Sequence, residues 1–257
     1  MQRLSGNKRT IGNRVRRTTS RRQRGRFLQR PRIFGLIVFL VLLATTSIGG
    51  HTLVDGTGPA VPATAPFRYT IVAGDTVDSV SSLFAASRMD VASQTGGTLV
   101  PGSQLTLDAA ALWRRMTSDP FGGNETLVEQ GARRAGIQPS LALAVAWQES
   151  RLQQNVRSPA GAVGIMQVEP DTSKLASRDL GVPIDPTIAT DNVRAGLFWL
   201  RTLLASYNGD EASALAAYNE GPGNLQRRGY LSGTAEYVAR AQQIQRALLS
   251  ANPNLDS

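Results

Sequence analysis

The chain has 257 residues, no cysteine and a single histidine, His51. Without cysteine there is no disulfide framework, no thiolate nucleophile and no sulfur-based zinc site. With His51 lying directly after an apolar run, where it reads as a solvated linker residue, Ser-His-Asp chemistry and histidine-based metal sites are excluded as well. Carboxylate and hydroxyl chemistry is what remains. Acidic residues are missing from the first 32 positions, which hold 12 of the 28 Lys and Arg. The rest of the chain carries 16 basic against 19 acidic residues, so the formal charge of +9 describes a tail on a near-neutral body.

Residues 1–32, Arg-rich, aromatic-poor and without apolar period, are expected to be a disordered basic tail. Residues 33–48, IFGLIVFLVLLATTSI, carry no charge. Extended by Gly49 and Gly50, the run would form a helix of about 27 Å, close to a hydrocarbon core of ~30 Å. The sequence therefore predicts one transmembrane anchor at 33–50. The basic flank places the tail in the cytoplasm and everything after residue 50 on the periplasmic or extracytoplasmic side of the cell membrane. A cleaved signal peptide is the competing reading; the long basic leader and the poor small-x-small pattern favour an uncleaved anchor. A nucleic-acid role for the tail ranks last, and no nucleic-acid partner is expected. Residues 51–67, with Pro59, Pro62 and Pro66, read as an extended linker.

The body is organised around residues 139–170, PSLALAVAWQESRLQQNVRSPAGAVGIMQVEP. Pro139 suits a first helical turn, where its missing N–H does no harm. Residues 141–147 are apolar nearly all round, as in a buried helix. Leu141, Val145, Glu149 and Leu152 fall at i, i+4, i+8 and i+11, which places a carboxylate on an apolar stripe at the helix's C-terminal end. Burial and the negative end of the helix dipole both disfavour the charged form, so Glu149 is expected to have a raised pKa, as a general acid needs. After a polar loop, Gly161 and Gly164 in G-x-x-G-x-M-Q let backbone approach a ligand closely.

Taken singly, each of these features has an ordinary reading: a solvated Glu, a Gly-rich turn, a core tyrosine. Their order is more specific. Glu149-Ser150, then Ser158-Pro159, then Gly161-x-x-Gly164-x-Met166-Gln167, then Ala217-Tyr218-Asn219-x-Gly-Pro-Gly, resembles the soluble-type lytic transglycosylase domain, related in fold to goose-type lysozyme. The resemblance covers roughly the C-terminal half of the chain. It implies a mainly α, lysozyme-like catalytic domain over 109–257 that acts on peptidoglycan glycan strands, with Glu149 as the single catalytic acid and no cofactor or metal. It further implies Ser158 facing a substrate acetamido group, Met166 and Gln167 as cleft wall, Tyr218 against the carboxyl and sugar, Asn219 in the cleft, and Tyr237 in a late Tyr-Val motif. Ser150 reads as helix-end capping. A Glu-Thr pair usually precedes that motif; here Gly233-Thr234 precede Tyr237-Val238, and Glu236 is the candidate replacement. Glu169 and Glu220 keep open a hydrolytic, lysozyme-type reading with a second carboxyl. A non-catalytic wall-binding anchor is a further alternative.

Upstream, Tyr69 and Ile71 followed by Gly74-Asp75-Thr76 predict a strand and a turn, with Asp75 or Thr76 capping a helix that carries Val77, Val80, Leu83 and Phe84. A second short helix from Met89 and a strand ending at Leu107 complete a βααβ order. Y-T-I-V-A-G-D-T and V-P-G-S-Q-L resemble a LysM module over 68–108, which implies binding to N-acetylglucosamine-containing glycans; Gln94-Thr95-Gly96-Gly97 stand where that family usually has a Leu-Asn pair. Beyond it the sequence predicts helices at 107–116, 126–135, from Thr190 to about 207, at 211–219 and at 234–249.

Overall fold

The structure, a computed structural model, describes residues 62–118, 121–231 and 233–257. The expected basic tail, the 33–50 anchor and the linker up to residue 61 lie outside the described residues. Among the described residues no helix is long and apolar enough to cross a membrane.

The described chain opens with a βααβ unit: β1 (Pro66–Thr70), α1 (Val77–Phe84), α2 (Arg88–Thr95) and β2 (Gln104–Asp108). The strands pair antiparallel with Phe67 opposite Leu107 and Tyr69 opposite Leu105. These four side chains are buried, while their neighbours in sequence face out, the period-2 alternation of a half-buried ribbon. Phe84 of α1 lies beneath, its ring centroid 5.2 Å from Phe67 and 4.8 Å from Tyr69. The first strand starts at Pro66, inside the segment expected to be linker. The reason is that the Ala65 N–H donates to Asp108 Oδ1 at 2.8 Å and the Ala65 carbonyl accepts from Ala109, which prolongs the ladder backwards. Thr76, not Asp75, caps α1, in a reciprocal capping box with Ser79. Asp75 is turned inward, accepting from the Tyr69 hydroxyl and from the Val72 N–H at 2.8 Å. Burial, then the Asp75 carboxylate, push the Tyr69 hydroxyl far above the usual tyrosine range. The outer backbone of each strand meets a glutamine amide: Thr106 exchanges two hydrogen bonds with Gln94 and Thr70 two with Gln243.

β2 runs without a break into α3 (Ala109–Thr117), and α4 (Asn124–Ala135), α5 (Pro139–Ser150), α6 (Pro170–Leu180), α7 (Ala189–Ser206), α8 (Glu211–Glu220), α9 (Pro222–Arg228) and α10 (Thr234–Ala251) follow. The chain is mainly helical. α5 is buried from Pro139 through Trp147 and is flanked by α4 and α10; α7 packs on α4, α6 and α8, and α10 also lies on α3 and α8. Gly131 of α4 faces α7 so closely that an added Cβ would sit 2.7 Å from Leu197 Cδ1. Two helices were not expected from the sequence. α6 follows Pro170, which occupies its first turn, and α9 follows Gly221, so Gly-Pro-Gly ends one helix and starts the next.

The N-terminus of α5 is capped from the far end of the chain. Asp256 accepts from the Ser140 N–H at 2.8 Å and from its hydroxyl at 2.6 Å. Gln138, at the cap position itself, makes no side-chain cap bond. Asp256→Ala is expected to destabilise the fold by about 1–2 kcal/mol, the usual cost of losing a cap and its charge at a helix start. Chemical unfolding with unchanged slope and a lower midpoint would show it; an unchanged midpoint would mean that water substitutes for the cap.

Candidate functional site

Glu149 sits one residue from the end of α5 and is half-buried. Tyr237, in the first turn of α10, donates its hydroxyl to Glu149 Oε1 at 2.7 Å. Gln148 holds the two helices together beside this bond, its Nε2 donating to the Tyr237 carbonyl at 2.9 Å. Immediately after Glu149 the backbone turns sharply. Arg151 (φ 58) and Leu152 (φ 62) are both left-handed, as is Gln167 (φ 45) across the loop. Of the five non-glycine residues with positive φ among the described residues, two thus directly follow Glu149 in the chain and a third lies in the glycine loop. Each costs about 1–2 kcal/mol for a side-chain-bearing residue, and such strain gathers where surrounding structure fixes a working geometry. Leu152 is fully buried, and the Arg151 guanidinium lies 5.5 Å from the Trp147 ring centroid. Burial lowers the Arg151 pKa to about 10, which leaves it charged at neutral pH.

The glycine loop is folded against this helix end. Ser150 is buried and does more than cap: its hydroxyl accepts from the Gln153 N–H and donates to the Ile165 carbonyl at 2.8 Å. Asn192, fully buried at the start of α7, accepts from the Met166 N–H at 2.9 Å and donates to the carbonyls of Val163 at 2.7 Å and Pro186 at 2.8 Å. Gly164 (φ 77) leaves room for it; a Cβ there would lie 2.4 Å from Asn192 Nδ2. Gln167 turns its amide back on the loop, Nε2 donating to the Gly164 carbonyl at 3.0 Å. Ser158 accepts from the Ala162 N–H at 3.0 Å, the bond of a tight-turn serine, and is half-buried.

Met166 stands differently from the expectation. It is fully buried, with Gly196 of α7 directly behind it, so the side chain belongs to the packing under the loop and not to a cleft wall. What Met166 offers is backbone: its carbonyl accepts from the Tyr218 hydroxyl at 2.8 Å, which ties α8 to the loop. Asn219 donates to Thr234 Oγ1 at 3.4 Å, and Thr234 in turn donates to Glu220 Oε2 at 2.9 Å. Glu220 is fully buried in this network beneath the start of α10. Glu236 accepts from the Gly233 N–H at 2.9 Å as a helix cap. Glu169 is half-buried at the cap position of α6. Among the described residues no group of three or more His, Cys, Asp or Glu is placed to hold a metal ion.

Asn192 and Glu125 were not singled out from the sequence. Asn192 had a signal: with Gly196, Leu200 and Leu203 it lies at i, i+4, i+8 and i+11 on a buried stripe of α7. Glu125, in the first turn of α4, is only 8% exposed, and burial raises its pKa to about 7, with the neighbouring Glu129 adding to the effect. Between 4.5, its ordinary value, and 7 the folded protein keeps a proton that the unfolded chain has lost. The contribution of Glu125 to stability is therefore full below pH 4.5 and is lost as pH rises through 7. Glu125→Gln, which imitates the protonated form, is expected to flatten that fall and to stabilise the protein at pH 8 by on the order of 1–2 kcal/mol, reduced for partial solvent access. Thermal unfolding of both proteins at pH 5 and pH 8 measures it; parallel pH dependences would contradict it.

Comparison with known proteins bears on this region. Residues 126–239 match the family model described as Transglycosylase SLT domain. The chain is 30% identical to the soluble lytic murein transglycosylase of Salmonella typhimurium over 53% of its own length and 22% of that protein's. It is 34% identical to the peptidoglycan transglycosylase gp16 of Escherichia phage T7 over 38% of its own length and 8% of that protein's. A solved structure of an inactive mutant of the lytic transglycosylase Slt from Pseudomonas aeruginosa has a TM-score of 0.45 at 25% identity, covering 58% of this chain and 29% of that one. The chain thus spans less than a quarter of the length of these curated relatives.

Proposed function

We propose that the SLT domain at 126–239 makes this chain a peptidoglycan lytic transglycosylase, a carbon-oxygen lyase that cuts the β-1,4 bond between N-acetylmuramic acid and N-acetylglucosamine. The observation that carries the reading is the half-buried Glu149 carboxyl at the end of α5, addressed by the Tyr237 hydroxyl at 2.7 Å within a domain of this family. Glu149 protonates the bridging oxygen as its bond to muramyl C1 breaks. The oxygen of the muramyl C6 hydroxyl then bonds to C1, and its proton returns to Glu149. The product carries a 1,6-anhydro ring, no water is consumed, and the carboxyl is restored.

The hydrolytic alternative needs a second carboxyl to act as base or nucleophile. Glu220 is a poor candidate for that role, because it is fully buried and accepts hydrogen bonds from Thr234 and from the Leu231 N–H. In the same reading, residues 33–50 anchor the chain in the cell membrane with the catalytic domain on the periplasmic or extracytoplasmic side, and the βααβ unit is a LysM-like module that meets the same glycan. Digestion of purified peptidoglycan followed by mass spectrometry tests the chemistry. Anhydromuropeptides, one water lighter than hydrolysed ends, are expected; reducing ends alone would establish a muramidase instead.

A further inference from the structure

Both helices that meet at the Glu149–Tyr237 bond are anchored on the βααβ unit, each within one turn of the bond. On α5, Trp147 precedes Glu149 by two residues, and its buried indole N–H donates to the Leu83 carbonyl near the end of α1 at 2.7 Å. On α10, Arg240 follows Tyr237 by three residues. Its guanidinium bridges Asp75 Oδ1 at 2.9 Å and the Ala73 carbonyl at 2.8 Å. One turn further, Gln243 brackets the Thr70 backbone at 2.6 and 2.9 Å. The anchor is firm on the other side too. Asp75 is 1% exposed and is held by Tyr69 and the Val72 N–H, so the ion pair joins two side chains with little freedom. An ion pair of this kind, shielded and fork-bonded, fixes geometry more strongly than a surface pair.

We propose that the βααβ unit is a positioning element for the catalytic acid: through Asp75 and Arg240 it sets the register of α10, and so the placement of Tyr237 against Glu149. This rests on the reading of Glu149 as the acid. The unit is then part of the catalytic apparatus, and Arg240 and Asp75 are positioning residues that act through Tyr237. Displacements of about 1 Å at a reacting group are enough to cost ~10²-fold in rate; on the other side of Tyr237, α10 is tied by Thr234, which donates to Glu220 at 2.9 Å, and by Gln148 on α5.

The test is a double-mutant cycle on the full chain with peptidoglycan as substrate, run well below each variant's unfolding midpoint. Arg240→Met is expected to lower kcat by at least about tenfold with KM within about twofold, the pattern of an interaction that matters in the transition state. Arg240→Lys, which keeps the charge but loses the fork, should recover part of the loss. In a Tyr237→Phe background Arg240→Met should have little further effect, because it acts through Tyr237. Additive effects, or an unchanged kcat in Arg240→Met, would overturn the proposal. A second readout needs no substrate. With ring-labelled tyrosine, the Tyr237 Cζ signal in Arg240→Met is expected to move towards its position in Glu149→Gln; a signal unmoved from wild type refutes the coupling. If wild-type protein releases no anhydromuropeptides, the functional reading fails, and this signal alone decides the positioning role.

Discussion

Glu149→Gln is expected to reduce release of anhydromuropeptides by about 10³- to 10⁴-fold, the upper range for loss of general acid–base catalysis. The upper range applies because one group serves twice in the proposed cycle, first giving a proton to the bridging oxygen and then taking one from the C6 hydroxyl. Glutamine preserves the geometry while removing the chemistry. Its amide oxygen can still accept from Tyr237, now 2.7 Å from Oε1, and its size matches the space at the end of α5. The thermal midpoint should therefore stay near that of the wild type, which separates loss of catalysis from loss of fold. Activity within tenfold of wild type would remove Glu149 from the mechanism.

Asn192→Leu should have the largest effect on stability, on the order of 1–3 kcal/mol. The side chain is fully buried and serves three backbone groups, the Met166 N–H and the carbonyls of Val163 and Pro186. Leucine, similar in size, leaves the Met166 N–H without a partner in a place closed to water, at a cost of ~1–3 kcal/mol, while the Val163 carbonyl keeps the Val168 N–H at 2.9 Å and the Pro186 carbonyl keeps Gln154 Nε2 at 3.0 Å. The Met166 N–H is held by Asn192, so the loss should appear twice: as a lower unfolding midpoint, and as early hydrogen exchange at Met166 before the helices open. Gly164→Ala strikes the same contact from the other side, since its Cβ would lie 2.4 Å from Asn192 Nδ2 and the backbone there has φ 77. Two variants with matching loss of protection at Met166 would identify the shared contact. Full protection in Asn192→Leu would show that the loop stands without it.

The helix that carries Glu149 was legible because its signals are local. An apolar run, a proline at its start and a carboxylate on the stripe define α5 within twelve residues, and the structure places it at Pro139–Ser150. The βααβ order was legible for the same reason, through a capping threonine and period-2 strands. What escaped depends on partners distant in sequence. Asp75 looked like a cap because a turn aspartate usually is one; its partner Arg240 stands 165 residues away. Tyr218 and Tyr237 could not be told apart by pattern. Each follows a helix signal, and only the packing of α8 and α10 sends one hydroxyl to the Met166 carbonyl and the other to Glu149. Met166 sat inside a recognised motif, yet burial depends on Gly196, thirty residues on, whose missing side chain makes the space. α6 and α9 were hidden by prolines, which mark a helix start as readily as a stop.

The two glutamines that flank the short ribbon have a consequence for what this protein can associate with. Gln94 and Gln243 occupy the outward N–H and C=O of Thr106 and Thr70, and Pro66 on the same rim has no N–H to offer. An exposed rim of this kind normally invites strand addition, whether by an extended peptide or by another copy of the chain. Here the side chains act as a selvedge, so that another thread laid alongside meets an edge already stitched at Thr70 or at Thr106 and can form only a shortened ladder.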